Sequence, residues 1–405
     1  MAQQVRVRYA PSPTGEPHIG NIRTALFNWL FARHHQGAFV VRIEDTDRER
    51  YVEGAVERIL EGLRWLGLDW DEGPQVDGSY GPYVQSERKE LYHRYAMELR
   101  EQGYAYHCYC SPRRLEAMRR EQQRQGRPPG YDRLCRDLSP EERQRSEAEN
   151  ATPVVRFKVP LSGETTFQDA IRGPVVFQNG LLDDFVVLKS DGFPTYHLAS
   201  VVDDHLMEMS HVIRGEEWLS STPRHVLLYE ALEWEHPIFA HLPMILGPDR
   251  AKLSKRHGAT SVLEYKEAGY LPDALVNFMA LLGWSLDDRT ELLLRGELVQ
   301  HFSLERVSRS AAIFNQEKLQ WMNGVYLRQM GQKELAERLI PFLERGLPPK
   351  VPRPLDRAYL RRIVPLVQER LKLLGDAVSL TGFFFVERLE YDASLLLQVF
   401  REPLQ

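Results

Sequence analysis

The chain has 405 residues and a formal net charge of −5 at pH 7, with 43% hydrophobic and 27% charged residues. This length allows two or three domains with cores of their own. No apolar run approaches the ~20 residues of a membrane span, and the N-terminus lacks the apolar segment of a secretory signal. Three cysteines without an export signal argue against a disulfide framework and indicate a reduced, cytoplasmic protein.

The first seventy residues predict a strand–helix–strand unit. A strand at 5–10 leads through the turn PSPTGEPHIGN, residues 11–21, into a helix with one apolar face. Gly37 occupies the position of a helix C-cap, and a second strand is predicted at 38–44. Another amphipathic helix follows and ends near Gly67. This order indicates a parallel sheet and an α/β fold of the nucleotide-binding type.

The residue composition and the predicted secondary structure change twice along the rest of the chain. Residues 104–150 are rich in arginine and glutamine and predict two polar helices around a Pro-Gly break, as in an insertion. Strands are predicted near 154–159 and 185–188, and a second α/β stretch covers 191–250. From about residue 262 the periodicity is helical. We therefore predict an α/β domain split by an insertion and followed by an α-helical half.

The opening turn is more rigid than a connection requires. Small and rigid residues let the backbone approach a ligand, and the N-terminus of the following helix attracts anions. His18, just before that helix, can donate a hydrogen bond to a phosphate oxygen. A histidine at a helix start is also common as a cap or as a surface residue, so the turn alone leaves both interpretations open.

A second loop, AKLSKRHGA at residues 251–259, carries Lys252, Ser254 and Lys255. Two lysines across a serine form a cationic loop that can follow charge moving between phosphates. A solvated basic loop is the alternative interpretation.

The two loops together resemble the two signature loops of the class I aminoacyl-tRNA synthetases. The first reads His18-Ile19-Gly20-Asn21, with Asn21 in place of a second histidine, and the second reads KLSKR. The motifs RYAPSPTGEPHIGN, VRIEDTDRERY, FPTYHLASVVDDH, VIRGEEW and WMNGVY narrow the resemblance to bacterial glutamyl-tRNA synthetases, from residue 5 to about residue 390.

The resemblance implies a Rossmann-type catalytic domain in two halves and an all-α C-terminal half that is shorter than usual. The implied boundaries are 1–103 for the first catalytic half, 104–190 for an insertion that binds the acceptor stem, 191–257 for the second catalytic half, 258–328 for a helical stem-contact domain and 329–405 for an incomplete anticodon-binding domain.

The resemblance also implies an activity, namely ATP-dependent ligation of L-glutamate to tRNA(Glu) through a glutamyl-adenylate, with release of AMP and pyrophosphate. Mg²⁺ would accompany ATP, and the partners would be tRNA(Glu), glutamate and ATP, with no membrane. A cytoplasmic monomer is expected. His18, Lys252 and Lys255 would neutralise developing phosphate charge, which is what such chemistry requires of a protein.

The glutamate pocket can be argued from residue chemistry. Two carboxylates require cations, which Arg8 and Arg214 can supply as guanidinium forks, and the ammonium requires an acceptor such as Glu44. The alternative for Arg8 and Glu44 is a structural ion pair between neighbouring strands. The resemblance adds further residues, with Ala10, Ser12 and Tyr196 at glutamate and Thr14, His18, Gly20, Glu217, Trp218, Ser254 and Lys255 at ATP.

All three cysteines lie in the insertion. Cys108 and Cys110 are followed by Cys135 after 24 residues, and Asp137 comes two positions later. Thiolates are favoured zinc ligands and a carboxylate can complete a tetrahedron. The resemblance includes family members with a structural zinc here and C-x-H as the last pair, so we predict zinc with Asp137 as the fourth ligand. A metal-free remnant is the alternative.

The insertion is also rich in arginine, which suits backbone contacts with an RNA acceptor stem, although a solvated helix face is an alternative. Those arginines are Arg113, Arg114, Arg119, Arg120, Arg124, Arg127, Arg133 and Arg136.

Three other functions are compatible with parts of the pattern. A shorter enzyme of the glutamyl-queuosine tRNA(Asp) synthetase type lacks the helical half, and a glutaminyl-tRNA synthetase has β-barrels in its place. The helical residues after about 262 argue against both. A catalytically inactive tRNA-binding paralogue is opposed by the presence of His18, Lys252 and Lys255.

Overall fold

The computed structural model describes residues 4–149, 152–253 and 261–386. The chain forms two compact units. The first, Met1–Leu263 with Met279–Phe314, contains every described strand. The second, Glu264–Phe278 with Asn315–Gln405, is helical in its described part. The predicted α/β class with a helical C-terminal half is confirmed.

The described strands form four small sheets. Strands β1 and β2 pair in parallel, as do β10 and β11. A four-stranded sheet has the order β6-β5-β9-β8, in which only β6 is antiparallel to its neighbour, and β3-β4-β7 is antiparallel. The strands are β1 Arg6–Tyr9, β2 Ala38–Val41, β3 Ala105–Cys108, β4 Val154–Phe157, β5 Glu164–Asp169, β6 Gly173–Gln178, β7 Val186–Leu188, β8 His211–Gly215, β9 Ile238–Leu242, β10 Ile245–Leu246 and β11 Ala312–Ile313.

Helices surround these sheets and build the second unit. In the described residues they are α1 Ile19–His34, α2 Ala55–Trp65, α3 Lys89–Glu101, α4 Pro112–Arg124, α5 Pro140–Glu149, α6 Tyr196–Leu206, α7 Thr222–Ala231, α8 Val262–Ala268, α9 Pro272–Ala280, α10 Arg295–His301, α11 Gln316–Gln329, α12 Gln332–Gly346, α13 Arg357–Val367 and α14 Ala377–Thr381. Among them, none is both long and apolar enough to cross a membrane.

The first strand–helix–strand unit follows the prediction with shorter strands. Its helix buries the predicted apolar face, because Ile22, Ala25, Leu26 and Leu30 have no exposed surface. The helix end differs from the prediction. Gln36, with φ 52°, takes the left-handed position, and Gly37 comes one residue later with its N–H on the carbonyl of Ala32 at 2.8 Å. Gly37 is instead required by packing, because a Cβ there would lie 2.2 Å from the carbonyl oxygen of Val5.

The insertion has a small core of its own around Asp184. The buried Asp184 carboxylate accepts hydrogen bonds from Arg136 at 2.8 Å and from the Tyr106 hydroxyl at 2.8 Å, and Arg133 lies 3.4 Å from it. Arg133 and Arg136 therefore stabilise the insertion, so these two of its eight arginines have partners within the protein. The polar helix α4 contains no buried residue, as its composition predicts.

The second unit is held together by leucine-rich helices. Its core includes Leu335, Leu339 and Leu343 of α12 together with Leu360 and Val364 of α13, all without exposed surface. This spacing places the α12 leucines on one face of the helix. Strand β11, a two-residue strand of the first unit, is the one described strand after residue 262, in keeping with the prediction of an almost wholly helical remainder.

Candidate active site

Two neighbouring cavities occupy the first unit. The larger has a volume of about 810 Å³ and the smaller about 340 Å³, and Thr24, Gly215 and Glu217 line both. Residues from the carboxyl ends of β1 and β8 and from the loop after β2 line the larger cavity, which is where open α/β sheets bind ligands. The lining includes nine predicted site residues, namely Arg8, Ala10, Ser12, Thr14, Glu44, Tyr196, Arg214, Glu217 and Trp218.

The smaller cavity collects the residues predicted for phosphate chemistry. Its lining includes His18, Gly20, Glu217 and Lys252. Lys252 follows a turn in which Gly247 donates to the carbonyl of Ala251 at 2.8 Å. The other two residues of this loop that were predicted to act, Ser254 and Lys255, lie outside the described residues.

The opening turn is attached along its length to the neighbouring backbone. Glu44 donates its N–H to the carbonyl of Pro11 at 3.0 Å, and the Ser12 hydroxyl donates to the carbonyl of Glu44 at 2.7 Å. Val52 and Val262 donate their N–H groups to the carbonyls of Pro13 and Pro17 at 2.9 and 3.0 Å. Prolines supply fixed φ angles and no N–H donors, so this turn is held by its carbonyls in one conformation beside both cavities.

His18 is the N-cap of α1. Its Nδ1 accepts a hydrogen bond from the backbone N–H of Asn21 at 3.3 Å. A Cβ at Gly20 would lie 3.2 Å from two atoms of the His18 ring, so a glycine there gives the imidazole room. Because Nδ1 accepts, a neutral His18 carries its proton on Nε2.

The charge state of His18 follows from its surroundings. Loss of water around the imidazole and the nearby Lys252 lower the pKa of His18, and Glu217 acts in the opposite direction without cancelling them. At neutral pH the side chain is therefore an uncharged hydrogen-bond donor through Nε2. Positive charge in the smaller cavity comes from Lys252 and from Arg23, which both line it.

Arg8 and Glu44 do not pair with each other as the structural alternative supposed. The Nε and Nη2 atoms of Arg8 donate to the two carboxylate oxygens of Asp204 at 3.0 and 3.2 Å. Glu44 and Asp204 both accept from the fully buried Arg42, at 2.9 and 2.8 Å. Burial would raise the pKa of Asp204, but Arg8 and Arg42 outweigh it and hold that pKa below its usual value.

A second buried carboxylate, Asp203, stabilises this network. Asp203 accepts hydrogen bonds from Arg88 at 2.7 Å, from the Tyr92 hydroxyl at 2.7 Å and from Gln85 at 3.0 Å. All of these groups are buried. Arg8 and Glu44 of the larger cavity thus belong to a fixed array of buried charges in which each charge has a partner of opposite sign.

Arg214 differs from Arg8 because its hydrogen-bond partners are neutral. It donates to the Tyr196 hydroxyl at 2.6 Å, to Thr222 Oγ1 at 2.9 Å and to His241 Nε2 at 3.2 Å, with His225 Nδ1 at 3.4 Å. No carboxylate in the described part of the chain forms an ion pair with it, and only 5% of the residue is exposed. A buried guanidinium of this kind calls for an anion from a ligand in the cavity.

The three cysteines of the insertion come together. Their sulfur atoms all lie within 4.8 Å of one another, with Cys110 and Cys135 at 3.5 Å. The Tyr131 hydroxyl lies 3.3 Å from the sulfur of Cys108 and 3.6 Å from that of Cys110. Three sulfurs at this spacing suit thiolate ligands of zinc, and the Tyr131 hydroxyl is the oxygen next to them.

Asp137 does not join this group, which corrects the predicted ligand set. Its side chain is 82% exposed, and its carboxylate lies 3.8 Å from the Lys158 ammonium. The residue two positions before it, Cys135, is buried among the sulfurs. Although only one residue separates Cys135 from Asp137 in the sequence, their side chains therefore point to different surroundings.

Several site residues escaped the sequence analysis. Asp204, Arg42 and Asp203 stand inside motifs that were recognised, VVDDH and VRIED, yet no spacing rule links them to Arg8. Thr222, His225 and His241 approach Arg214 from other elements of the fold. The sequence signal that could have found these residues was a polar residue at a buried position of an otherwise apolar segment. Such a position can be recognised as buried only when the strand order is known.

The comparisons with known proteins agree with this geometry. The model of the catalytic domain of class I tRNA synthetases (E and Q) matches residues 4–321, and an anticodon binding domain matches residues 334–403. A glutamate–tRNA ligase of Dehalococcoides mccartyi is 60% identical over 397 residues, which cover 98% of this chain and 81% of that protein. One from Moorella thermoacetica is 51% identical over 401 residues, or 99% of this chain and 82% of the relative.

A solved structure extends the agreement to three dimensions. The crystal structure of a glutamate tRNA ligase from Elizabethkingia meningosepticum, in complex with its amino acid, matches with a TM-score of 0.90 and 39% identity. The match covers 98% of this chain and 83% of that one. The chain therefore belongs to the class I tRNA synthetase family of the glutamate and glutamine enzymes, and over nearly its full length it is similar to bacterial glutamate–tRNA ligases.

Proposed function

We propose that this chain joins L-glutamate to tRNA(Glu) in two steps. The glutamate carboxylate attacks the α-phosphorus of ATP and pyrophosphate leaves, which forms glutamyl-adenylate. A hydroxyl of the terminal tRNA adenosine then takes the glutamyl group and AMP leaves. Mg²⁺ accompanies ATP in this class and neutralises phosphate charge. The family and the names of its relatives support this activity, and the observation that carries the choice of amino acid is the buried Arg214.

Arg214 and Tyr196 are proposed to bind the side-chain carboxylate of glutamate. Four hydrogen bonds connect the guanidinium to neutral acceptors, so its positive charge is not compensated within the described site. The Tyr196 hydroxyl accepts from Arg214 at 2.6 Å, which leaves its own proton available to a ligand oxygen. An arginine N–H beside a tyrosine O–H is a suitable donor pair for a carboxylate.

Glu44 and Arg8 are proposed to hold the α-amino acid end. Glu44 lines the cavity with a carboxylate that can accept from the ammonium, while Arg42 fixes its position at 2.9 Å. Arg8 already donates through two of its nitrogen atoms to Asp204, so its remaining donors are those available to a ligand. Ser12 and Ala10 line the same wall and limit the size of the amino acid.

The smaller cavity is proposed to receive the phosphates of ATP, with Thr14, Gly20, Glu217, Trp218 and Ser254 around the nucleotide. His18 would donate from Nε2 to a phosphate oxygen as a neutral group, because its pKa is lowered. Lys252 and Lys255 would supply the positive charge that neutralises the negative charge developing on the phosphates. No covalent enzyme intermediate is required.

A structural zinc is proposed at Cys108, Cys110 and Cys135. The clustering of the sulfurs supports the three thiolate ligands, and the position of the Tyr131 hydroxyl supports that oxygen as the fourth ligand in place of Asp137. Zinc would crosslink the two ends of the segment 108–135 and so brace the insertion.

The remaining assignments concern RNA and location. We propose that residues 104–190 contact the acceptor end of the tRNA, that 258–328 contact its stem and that 329–405 contact the anticodon, with 1–103 and 191–257 as the two catalytic segments. The match of an anticodon binding domain to 334–403 supports the last contact. A role in translation places the protein in the cytoplasm, and a monomer remains the predicted state.

The alternatives have less support. An anticodon-domain match and a helical second unit disfavour the shorter enzyme that modifies tRNA(Asp). The relatives matched over 98% and 99% of the chain are glutamate enzymes, which disfavours a glutaminyl enzyme. His18 and Lys252 at one cavity disfavour an inactive paralogue.

The test is glutamate-dependent exchange of pyrophosphate into ATP, measured with and without tRNA(Glu). We expect exchange with glutamate and tRNA present, and at least tenfold less with glutamine or aspartate at the same concentration. The transfer step is followed by charging of tRNA(Glu) with labelled glutamate. Absence of exchange with cognate tRNA would contradict the proposed activity.

A further inference from the structure

Asp169 and His241 form a buried pair behind Arg214, and neither residue lines either cavity. His241 lies in β9 and is the register partner of Arg214 in β8, while Asp169 is the last residue of β5 on the other side of β9. Both side chains have no exposed surface. Their Oδ2 and Nδ1 atoms are 2.6 Å apart.

The hydrogen bonds of His241 determine its tautomer. The Nε atom of Arg214 can only donate, so His241 Nε2, at 3.2 Å, accepts from it. Nδ1 therefore carries the ring proton and donates it to Asp169. Burial lowers the pKa of His241 even though Asp169 acts to raise it, which keeps the ring neutral at physiological pH.

Asp169 is fixed as firmly as the ring that it orients. Its Oδ1 accepts from the backbone N–H groups of Ile171 at 2.9 Å and Arg172 at 2.8 Å, and His241 N lies 3.4 Å away. Oδ2 is thereby directed at His241. Burial would raise the pKa of Asp169, but the hydrogen bonds from His241 and from this backbone hold it below the usual value.

We propose that Asp169 and His241 are positioning residues for recognition of the glutamate side chain, acting by holding Arg214 in the orientation that receives the ligand carboxylate. This inference rests on the proposed function and extends it to two residues outside the cavity. An acceptor at Nε2 fixes the guanidinium plane through its Nε–H, while the neutral ring leaves the full positive charge for the ligand. The anionic Asp169 is kept one side chain away, so it does not compete for Arg214.

The substitution Asp169→Asn tests the proposal because the backbone decides how the new amide sits. Its oxygen must face the N–H groups of Ile171 and Arg172, so its NH₂ faces His241 Nδ1. The ring proton then moves to Nε2 and meets the Nε–H of Arg214. We expect the KM for glutamate in pyrophosphate exchange to rise at least tenfold, with the KM for ATP within twofold of wild type.

Two further variants separate positioning from simple loss of a buried charge. Asp184→Asn removes an equally buried carboxylate in the insertion that lines neither cavity, and is expected to leave both KM values within twofold. In His241→Gln with Asp169 retained, the glutamine has no tautomer to invert, because its oxygen can accept from Arg214 while its NH₂ donates to Asp169. The KM for glutamate is expected to stay within about threefold of wild type.

The outcomes are distinguishable. Wild-type protein without any exchange contradicts the proposed function itself. With wild-type exchange present, an unchanged glutamate KM in Asp169→Asn, or an equal rise in both KM values, overturns the positioning role alone. If Asp169→Asn does not fold, His241→Gln is compared with His241→Leu, and a glutamate KM that rises only in the leucine variant supports the proposal while equal values overturn it.

Discussion

His18 accepts a hydrogen bond from the backbone N–H of Asn21 through Nδ1, at 3.3 Å. The residue that replaces the second histidine of the class signature thus orients the first one through its main chain. This leaves the Nε2 proton of His18 available to a ligand in the smaller cavity, which His18 lines. A neutral donor at this point, next to the cation Lys252, divides hydrogen bonding and charge between two side chains.

The Nε2–H donor of His18 is expected to contribute to the chemical step. His18→Ala should lower kcat for pyrophosphate exchange by about 10²-fold with a smaller effect on the KM for ATP, because one preorganised donor to developing charge is typically worth 10²- to 10³-fold. His18→Gln, whose amide N–H reaches the Nε2 position, should retain more activity than the alanine variant. Equal activity of the two variants would contradict the donor role.

Arg214 is expected to control the affinity for the amino acid. Arg214→Gln should raise the KM for glutamate by about 10²-fold, since charge-assisted hydrogen bonds to a buried carboxylate contribute about 1.5 to 3 kcal/mol each. The KM for ATP serves as the internal reference and should change less than threefold. Arg224→Gln removes an arginine of the neighbouring helix α7 that does not line the cavity, and it should behave as wild type.

The metal site predicts a definite zinc content. Protein purified without added zinc should contain about one zinc per chain, and Cys135→Ser should lose most of it, because thiolates dominate such sites. Tyr131→Phe should weaken zinc retention against a chelator, whereas Asp137→Ala should not. If Asp137→Ala weakens zinc retention and Tyr131→Phe does not, the fourth ligand is Asp137 and not Tyr131.

Acid should destabilise the protein through its buried histidines. Burial lowers the pKa of His197 to about 3, and it lowers the pKa of His225, whose Nε2 lies 3.2 Å from His197 Nδ1. The unfolded chain binds a proton at each ring below about pH 6.5, while the folded chain does not. The free energy of unfolding should therefore fall by about 1.4 kcal/mol per pH unit for each ring as pH drops below 6.5.

One substitution tests whether His197 causes this pH dependence. In His197→Gln, the free energy of unfolding is measured by urea denaturation between pH 6 and pH 4.5. Its slope against pH should be smaller by about 1.4 kcal/mol per pH unit, which corresponds to one proton. Between pH 7.5 and pH 8.5 the slopes of the two proteins should coincide. Parallel slopes over the acidic range would show that His197 is not the source.

Gly37 predicts a stability effect without a catalytic one. A Cβ in Gly37→Ala would meet the backbone of Val5 at 2.2 Å, and a backbone atom cannot swing away as a side chain can. We expect a loss of about 1 to 3 kcal/mol in the free energy of unfolding. Gly296→Ala, in helix α10 with no atom within 4 Å of the new Cβ, should be neutral or stabilising because alanine favours helix. A neutral Gly37→Ala would contradict the packing role.

Much of this protein follows from local sequence. The turn at 11–21, the apolar face of α1 and the alternation of strands and helices are governed by neighbours within a few residues, so the α/β class and the position of His18 at a helix start could be predicted. Arg8, Glu44 and Arg214 could be placed at one cavity because carboxyl ends of parallel strands meet at one edge, whereas the other six predicted lining residues came from the family resemblance.

The partners of these residues were decided by tertiary structure. Arg8 pairs with Asp204, which is 196 positions away, and Asp169 reaches His241 across 72 positions. Asp137 is directed away from the cysteines although it stands two residues from one of them, because backbone direction sets where a side chain points. The sequence by itself determined which chemical groups are present and at which edge of the sheet they gather. Only the packing of distant strands decided which buried charges are already paired, and hence that Arg214 has only neutral hydrogen-bond partners among the described residues.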